Sequence, residues 1–394
     1  LVVGAPQESS NHIGIATTQP NPNTSSPFSG AVYVYRSFSG TWILEAFIKA
    51  SNADSNDSFG TSVDIHGDTI VVGAPGESSN QLTITNGPTA SSNNSLSGSG
   101  AVYVYKRTGS TWTQESYIKA VNSGSTDSFG HKVAIHNNTI VVGVPDEDSS
   151  ISTVTNGTTA SADNSIGGAG AAYVYFRSGA NWAQQAYLKA AEVNSLLNFG
   201  DAVDIYGDTI VVGAWGEDSD DNAVVNTNDT ASTNTSASNS GAAYVFKRSG
   251  ASWLQTAYLK APNSDADDGF GGSVAIYDRT IVVGASGEDA NDTSSQQPWG
   301  GGSINNAASA SGAVYVYSAD TSDFWSNTSY IKAGVNTDAN DMFGSVVNID
   351  RNTIAVGAPG ESSNTNTMTN GPSNSNPTDN LTSTSGAVHF LNLQ

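Results

Sequence analysis

No cysteine occurs in the 394 residues, which excludes disulfides, thiolate metal sites and cysteine nucleophiles together. That absence leaves the compartment open, since a secreted chain need not carry cysteine. Basic residues are also scarce: 14 Lys and Arg stand against 36 Asp and Glu, for a formal charge of −22. Binding to a nucleic-acid backbone relies on counterion release by Lys and Arg, so that function is excluded. The same field favours divalent cations and basic surfaces as partners. No apolar run approaches the ~20 residues that a helical membrane span requires. Neither an initiator Met nor a signal-peptide pattern stands at Leu1. The chain opens on Leu1-Val2-Val3-Gly4-Ala5-Pro6, in the middle of a repeat, and so reads as a mature or truncated piece of something longer.

Set against these absences is an excess of Asn, Ser, Thr and Gly, the composition of a wet, loop-rich extracellular surface, and a strong internal repetition with a period of about 70 residues. Four blocks recur. The first opens on Phe-Gly, at Phe59, Phe129, Phe199, Phe270 and Phe343. The second is an apolar run into Gly-Ala-Pro or a variant, at Gly4, Gly73, Gly143, Gly213, Gly284 and Gly357. The third is Gly-Ala-Val-Tyr-Val-Tyr or close to it, from Gly30, Gly100, Gly170, Gly241, Gly312 and Gly386. The fourth runs from a Trp to a Lys, Trp42 to Lys49 and likewise from Trp112, Trp182, Trp253 and Trp325.

Each block is short, rich in Val, Ile, Tyr and Trp, and bounded by turn residues, so each reads as a β-strand. Short turns such as Gly67-Asp68 join first and second strands as a tight hairpin. The third strand sets Val32 and Val34 on one face and Tyr33 and Tyr35 on the other, so both faces need cover. Four-stranded sheets packed radially supply that cover, which predicts an all-β fold, a β-propeller of about six antiparallel blades; an open stack of the same sheets is the alternative. The chain is expected to form a single domain over 1–394, with repeat units at about 1–58, 59–128, 129–198, 199–269, 270–342 and 343–394. The long segments between second and third strands, Gly76 to Ser99 for example, read as surface loops without strands. They share one rim with the loops that precede Phe-Gly, and the short turns occupy the other rim.

Phe59-Gly60, Val72-Gly73-Ala74-Pro75 and Gly100-Ala101-Val102-Tyr103-Val104-Tyr105 resemble the FG-GAP repeat of integrin α-subunit propellers and of bacterial surface proteins. The resemblance covers the whole chain and implies a propeller, of six blades by strand count or seven as in integrins. It does not fix an activity, because one scaffold carries many. Integrin-type calcium loops lie between first and second strands, where the turns here are too short to hold one. Six second and six third strands stand against five first and five fourth, which leaves a blade incomplete and a sheet edge open to pairing with a neighbour.

Two repeated carboxylates stand out. Glu follows Gly-Ala-Pro in every copy (Glu8, Glu77, Glu147, Glu217, Glu288, Glu361), and Asp precedes Phe-Gly at Asp57, Asp127, Asp268 and Asp341. With the Lys that ends the fourth strand they are expected on one rim. One reading is an ion-pair and capping device, in which Lys neutralises Glu and Asp accepts loop N–H groups. The other is a Ca²⁺ site of hard oxygen ligands. For it the candidates are Asp54, Asn56 and Asp57, then Asp265, Asp267 and Asp268, then Asp338, Asn340 and Asp341, with Glu77, Glu288 and Glu361. Trp215 and Trp299 break the repeat and are candidate sugar-stacking platforms or loop plugs.

No nucleophile elbow, phosphate loop or zinc-protease motif occurs, and the histidines at His66 and His136 fall at equivalent turns, so no enzyme is expected. The leading expectation is a secreted or surface-displayed binding and adhesion module that engages a protein or glycan, assisted by calcium. The alternatives are a subunit of an extracellular filament or matrix, self-associating through the incomplete blade, and, more distantly, a carbohydrate-active enzyme.

Overall fold

A computed structural model describes residues 1–20, 23–291, 297–298, 305–334, 337–362 and 385–393. It is all-β and built of six antiparallel propeller blades. The residues divide into two compact units, Leu1–Lys189 with Ser249–Trp253, and Ala190–Arg248 with Leu254–Gln394.

The second repeat, in the first of these units, shows the plan of a blade. Ser62–His66 pairs with Thr69–Ala74, which pairs with Ala101–Thr108, which pairs with Thr111–Ile118. Register follows from the hairpins. His66 faces Thr69 across a two-residue turn whose first residue, Gly67, has φ +58, a positive value that glycine adopts freely and that tight hairpin turns require. The alternating Val and Tyr of the third strand then fill both faces, and Val102, Tyr103, Val104 and Tyr105 are all buried.

Within the first unit, one core lies between the first and second blades, around Val34, Phe59, Ile70 and Tyr103, and another lies between the second and third, around Val104, Phe129, Ile140 and Tyr173. In the other unit the corresponding cores gather Val245, Phe270, Ile281 and Tyr315, then Val316, Phe343, Ile354 and Val356. Apolar cover on both faces is thus supplied by neighbouring blades, as the two-faced third strand requires.

One expectation changes. The loop between second and third strands is not free of strands. Thr85–Asn86 adds to the outer edge of the fourth strand as a two-residue fifth strand, and Thr155–Asn156 does the same in the third blade. The reason is tertiary. The Asn86 amide accepts from the Trp182 backbone N–H at 2.8 Å and donates to the Trp182 carbonyl at 3.2 Å, tying the loop to the next blade.

The strand shortfall is one first and one fourth strand, as the count of blocks predicts. Among the described residues the first blade has second, third and fourth strands (Val2–Ala5, Ala31–Phe38, Thr41–Ile48) and no first. The sixth has Val346–Asp350, Thr353–Ala358 and Ala387–Asn392 and no fourth.

Candidate functional site

The repeated Glu is held by its own blade. Glu77 sits just past the second strand and Lys119 at the end of the fourth, and their side chains meet at 2.9 Å with 1% and 0% exposure. The Lys119 ammonium also donates to Ser99 Oγ at 2.7 Å and to the Gly100 carbonyl at 2.5 Å. Glu77 accepts in addition from the Ser79 N–H, the Tyr117 hydroxyl and the Asn52 amide. Every proton of the ammonium is used, and the carboxylate has four donors around its two oxygens. The pair recurs as Glu8–Lys49, Glu147–Lys189, Glu217–Lys260 and Glu288–Lys332, at 2.7, 2.9, 2.7 and 2.5 Å. Burial pushes the Lys119, Lys189 and Lys260 ammonium groups below the usual lysine range, against the pull of their glutamates. Glu77 and Glu288, proposed as calcium ligands on sequence, are therefore engaged by lysine. Glu361 occupies the same place in the sixth blade, which has no fourth strand among the described residues.

The Asp-x-(Asn/Asp)-Asp loops fold on themselves. Asp57 is buried, and its carboxylate accepts the Asp54 backbone N–H at 2.8 Å; Asp268 does the same for Asp265 at 2.9 Å and Asp341 for Asp338 at 2.8 Å. The middle residue of each loop is left-handed: Asn56 has φ +71, Asp267 φ +66 and Asn340 φ +69, a region that Asn and Asp enter at low cost. The last Asp and the residue before it thus each have a backbone role. The Asp54 carboxylate accepts from the Asn94 amide of the facing loop at 2.8 Å, which places the two loop families on one rim.

Burial raises the Asp57 carboxyl to about 7, with Glu77 adding to the rise, and the Asp268 carboxyl to about 8, with Glu288 adding. Asp127 and Asp341 are raised to about 6, again chiefly by burial. Among the described residues no three His, Cys, Asp or Glu side chains converge as a metal cluster.

The glycines that punctuate the repeat explain its spelling. A Cβ on Gly73 would lie 1.9 Å from the Gly130 carbonyl oxygen of the next blade. One on Gly130, at φ +92, would lie 2.5 Å from the Ala101 carbonyl oxygen. Gly213 meets Gly271, and Gly284 meets Gly344, in the same way. The glycine of Phe-Gly and the glycine of Gly-Ala-Pro are two sides of one backbone contact between consecutive blades.

A family model described as the FG-GAP repeat matches residues 42–105, 112–175, 182–246, 253–297 and 325–372. The chain is an FG-GAP repeat protein. Each match begins at a fourth-strand Trp, and the first three run through the third strand of the next blade, so the FG-GAP unit straddles the blade contact just described. No curated protein matches the chain. The FG-GAP propeller is a binding and structural scaffold, and among the described residues no helix is long and apolar enough to cross a membrane.

With the repeated ionisable groups spent on the FG-GAP scaffold, the asymmetric positions remain. Trp299 lies outside the described residues. Trp215 stands where the neighbouring copies have Pro or Ser, is 36% exposed, and borders a cleft of about 420 Å³ within the second unit. Asp201, Asp267, Ser286 and Ser345 line the same cleft, over a floor of glycine backbone that includes Gly272 and Gly344. His66 and His136 stack edge to face at 4.7 Å at adjacent turns. Sequence reasoning missed the asparagines: Asn52, Asn122 and Asn263 each accept from a third-strand Tyr hydroxyl and donate to a repeated Glu. The recurrence of Asn three residues after Lys49, Lys119 and Lys260 was the available signal.

Proposed function

We propose that this FG-GAP protein is an extracellular, non-enzymatic binding module that engages a protein or glycan partner through its loop-bearing rim. The observation that carries the reading is the Trp215 cleft. Trp215 lines a small concavity together with Asp201, Asp267, Ser286 and Ser345, the combination of an aromatic residue and several polar residues that binding sites use. The repeated Lys–Glu pairs support the same reading by exclusion, because their bonding capacity is taken up inside the scaffold. Calcium enters as an assistant at the loops around Asp54–Asp57, Asp265–Asp268 and Asp338–Asp341, on oxygens not used by lysine.

The test is a glycan and matrix-protein binding screen on the chain beside Trp215→Ala, with melting curves to show that both are folded. The reading expects at least one ligand to bind the chain and to lose roughly tenfold or more in affinity in the variant, about 1.4 kcal/mol. Unchanged binding by Trp215→Ala would remove the cleft from the partner site.

A further inference from the structure

The sixth blade ends in a surface that its sister blades always cover. Gly357 is the glycine of its Gly-Ala-Pro block, and a Cβ there would meet nothing closer than 3.6 Å, whereas Gly73, Gly213 and Gly284 lie against the next blade's Phe-Gly at 1.9, 1.9 and 2.0 Å. Gly386 opens its third strand. Its counterparts Gly100, Gly241 and Gly312 each touch the next blade's Phe, at 2.1, 2.0 and 2.1 Å to the Phe carbonyl oxygen, and a Cβ on Gly386 comes no closer to any atom than 3.6 Å. Val388 and Phe390 are 64% and 67% exposed, while Val102, Val104, Val314 and Val316 at the same positions are at most 1% exposed. Among the described residues Ala387–Asn392 is also an edge strand, where the other third strands pair with a fourth. The buried Nε2 of His389, in the place of Tyr103 and Tyr315, has no hydrogen-bond partner.

These openings match one object. After the second blade, for example, Thr111–Ile118 closes the edge and the chain runs through the Asp127 loop into Phe129-Gly130 and the first strand Lys132–His136, which covers the face. We propose that the edge and face formed by Gly357, Gly386, Val388 and Phe390 are a docking surface for the fourth-strand to Phe-Gly segment of a further FG-GAP repeat. A second copy of this chain is disfavoured as the occupant, because its own fourth strands, Thr111–Ile118 for example, are paired within their own blades. The required chemistry is specific. A Trp leads, an aromatic and an aliphatic residue follow to face His389 and Val388, and a Lys enters beside Glu361, as Lys332 does beside Glu288. Phe-Gly then seats its glycine against Gly357.

A synthetic peptide of residues 252–277, which carries Trp253, Lys260, Phe270 and Gly271, is the probe. Titrated into the full chain, it is expected to bind saturably at one site and to move the His389 ring resonances. A peptide with Gly271→Val, and the chain with Phe390→Asp, should each weaken binding at least tenfold. Phe390 is exposed, so that variant should fold, which near-ultraviolet circular dichroism checks. Absence of binding, equal binding by the Gly271→Val peptide, or full binding to the Phe390→Asp chain would overturn the proposal. So would light scattering that shows the chain alone dimerising through this surface and losing the dimer in Phe390→Asp.

Discussion

Replacing Lys119 by Met tests whether the repeated Lys–Glu pair holds the blade together. The ammonium of Lys119 and the carboxylate of Glu77 lie 2.9 Å apart at 0% and 1% exposure, so neither can turn to water when its partner is removed. Breaking such a pair costs about 3–5 kcal/mol. Loss of the bonds to the Gly100 carbonyl and to Ser99 Oγ, which still donates to the Ser79 carbonyl, adds to the cost, while the Ser79 N–H, Tyr117 and Asn52 still donate to Glu77 and limit it. Glu77→Gln should cost a similar amount by stranding the ammonium. The double variant removes both charges and should fall short of the summed single costs by about 2 kcal/mol or more. Urea unfolding followed by tryptophan fluorescence reads these differences. Asp68→Asn is the control, since Asp68 and Arg107 form a surface pair at 51% and 29% exposure and its loss should cost about 0–1 kcal/mol. Single variants costing under ~1 kcal/mol, or additive with each other, would show that the buried pairs are passengers and refute the reasoning.

Gly73→Ala should destabilise by about 2–4 kcal/mol, because its Cβ collides with the Gly130 backbone, whereas Gly357→Ala should be nearly neutral; equal effects in thermal melts would refute the contact. Stability should rise on acidification from about pH 8 to about pH 5. The buried Asp57 and Asp268 are raised to about 7 and about 8 when folded, so their contribution is full below the unfolded carboxylate range and is lost as the pH climbs through those values. A tenfold change in proton affinity is worth about 1.4 kcal/mol, so Asp268→Asn should flatten the pH dependence of the melting temperature measurably, and an unaltered profile would contradict the burial argument. If calcium assists the loops, adding a chelator should lower the melting temperature, and coincident melts with and without chelator would remove calcium from the proposed function.

Much of the fold was legible because it repeats. Phe-Gly, Gly-Ala-Pro and the Val-Tyr strand return at a near-constant interval, so strand order, hairpin turns and the need for cover on both faces follow from one aligned copy. The ion-pair and capping reading of the carboxylates was legible in kind, since Lys, Glu and Asp recur in step with the strands. Less legible was the role of asparagine. Asn86 reaches Trp182 and Asn52 reaches both Tyr103 and Glu77, contacts that join residues far apart in sequence and leave no local period. The Asp-x-(Asn/Asp)-Asp loops read as ligand-rich for a related reason. Their composition matches a cation loop, while the left-handed φ of Asn56, Asp267 and Asn340 shows the backbone requirement that the middle residue meets.

By itself the sequence determined the repeating unit, its strands and the all-β propeller class, because alternation of apolar residues and the placement of glycine are local properties that each copy states again. Only the tertiary structure decided how the copies use one another. Gly73 must be glycine on account of the Gly130 backbone in the next blade, and Glu77 is engaged because Lys119 arrives from another strand. It also showed Val388 and Phe390 uncovered, a state that a count of strands points toward but that only the burial of their counterparts establishes. The physical reason is that packing between blades joins residues as far apart as Gly73 and Gly130, and a pattern along the chain records that such a partner is needed without naming which atoms meet.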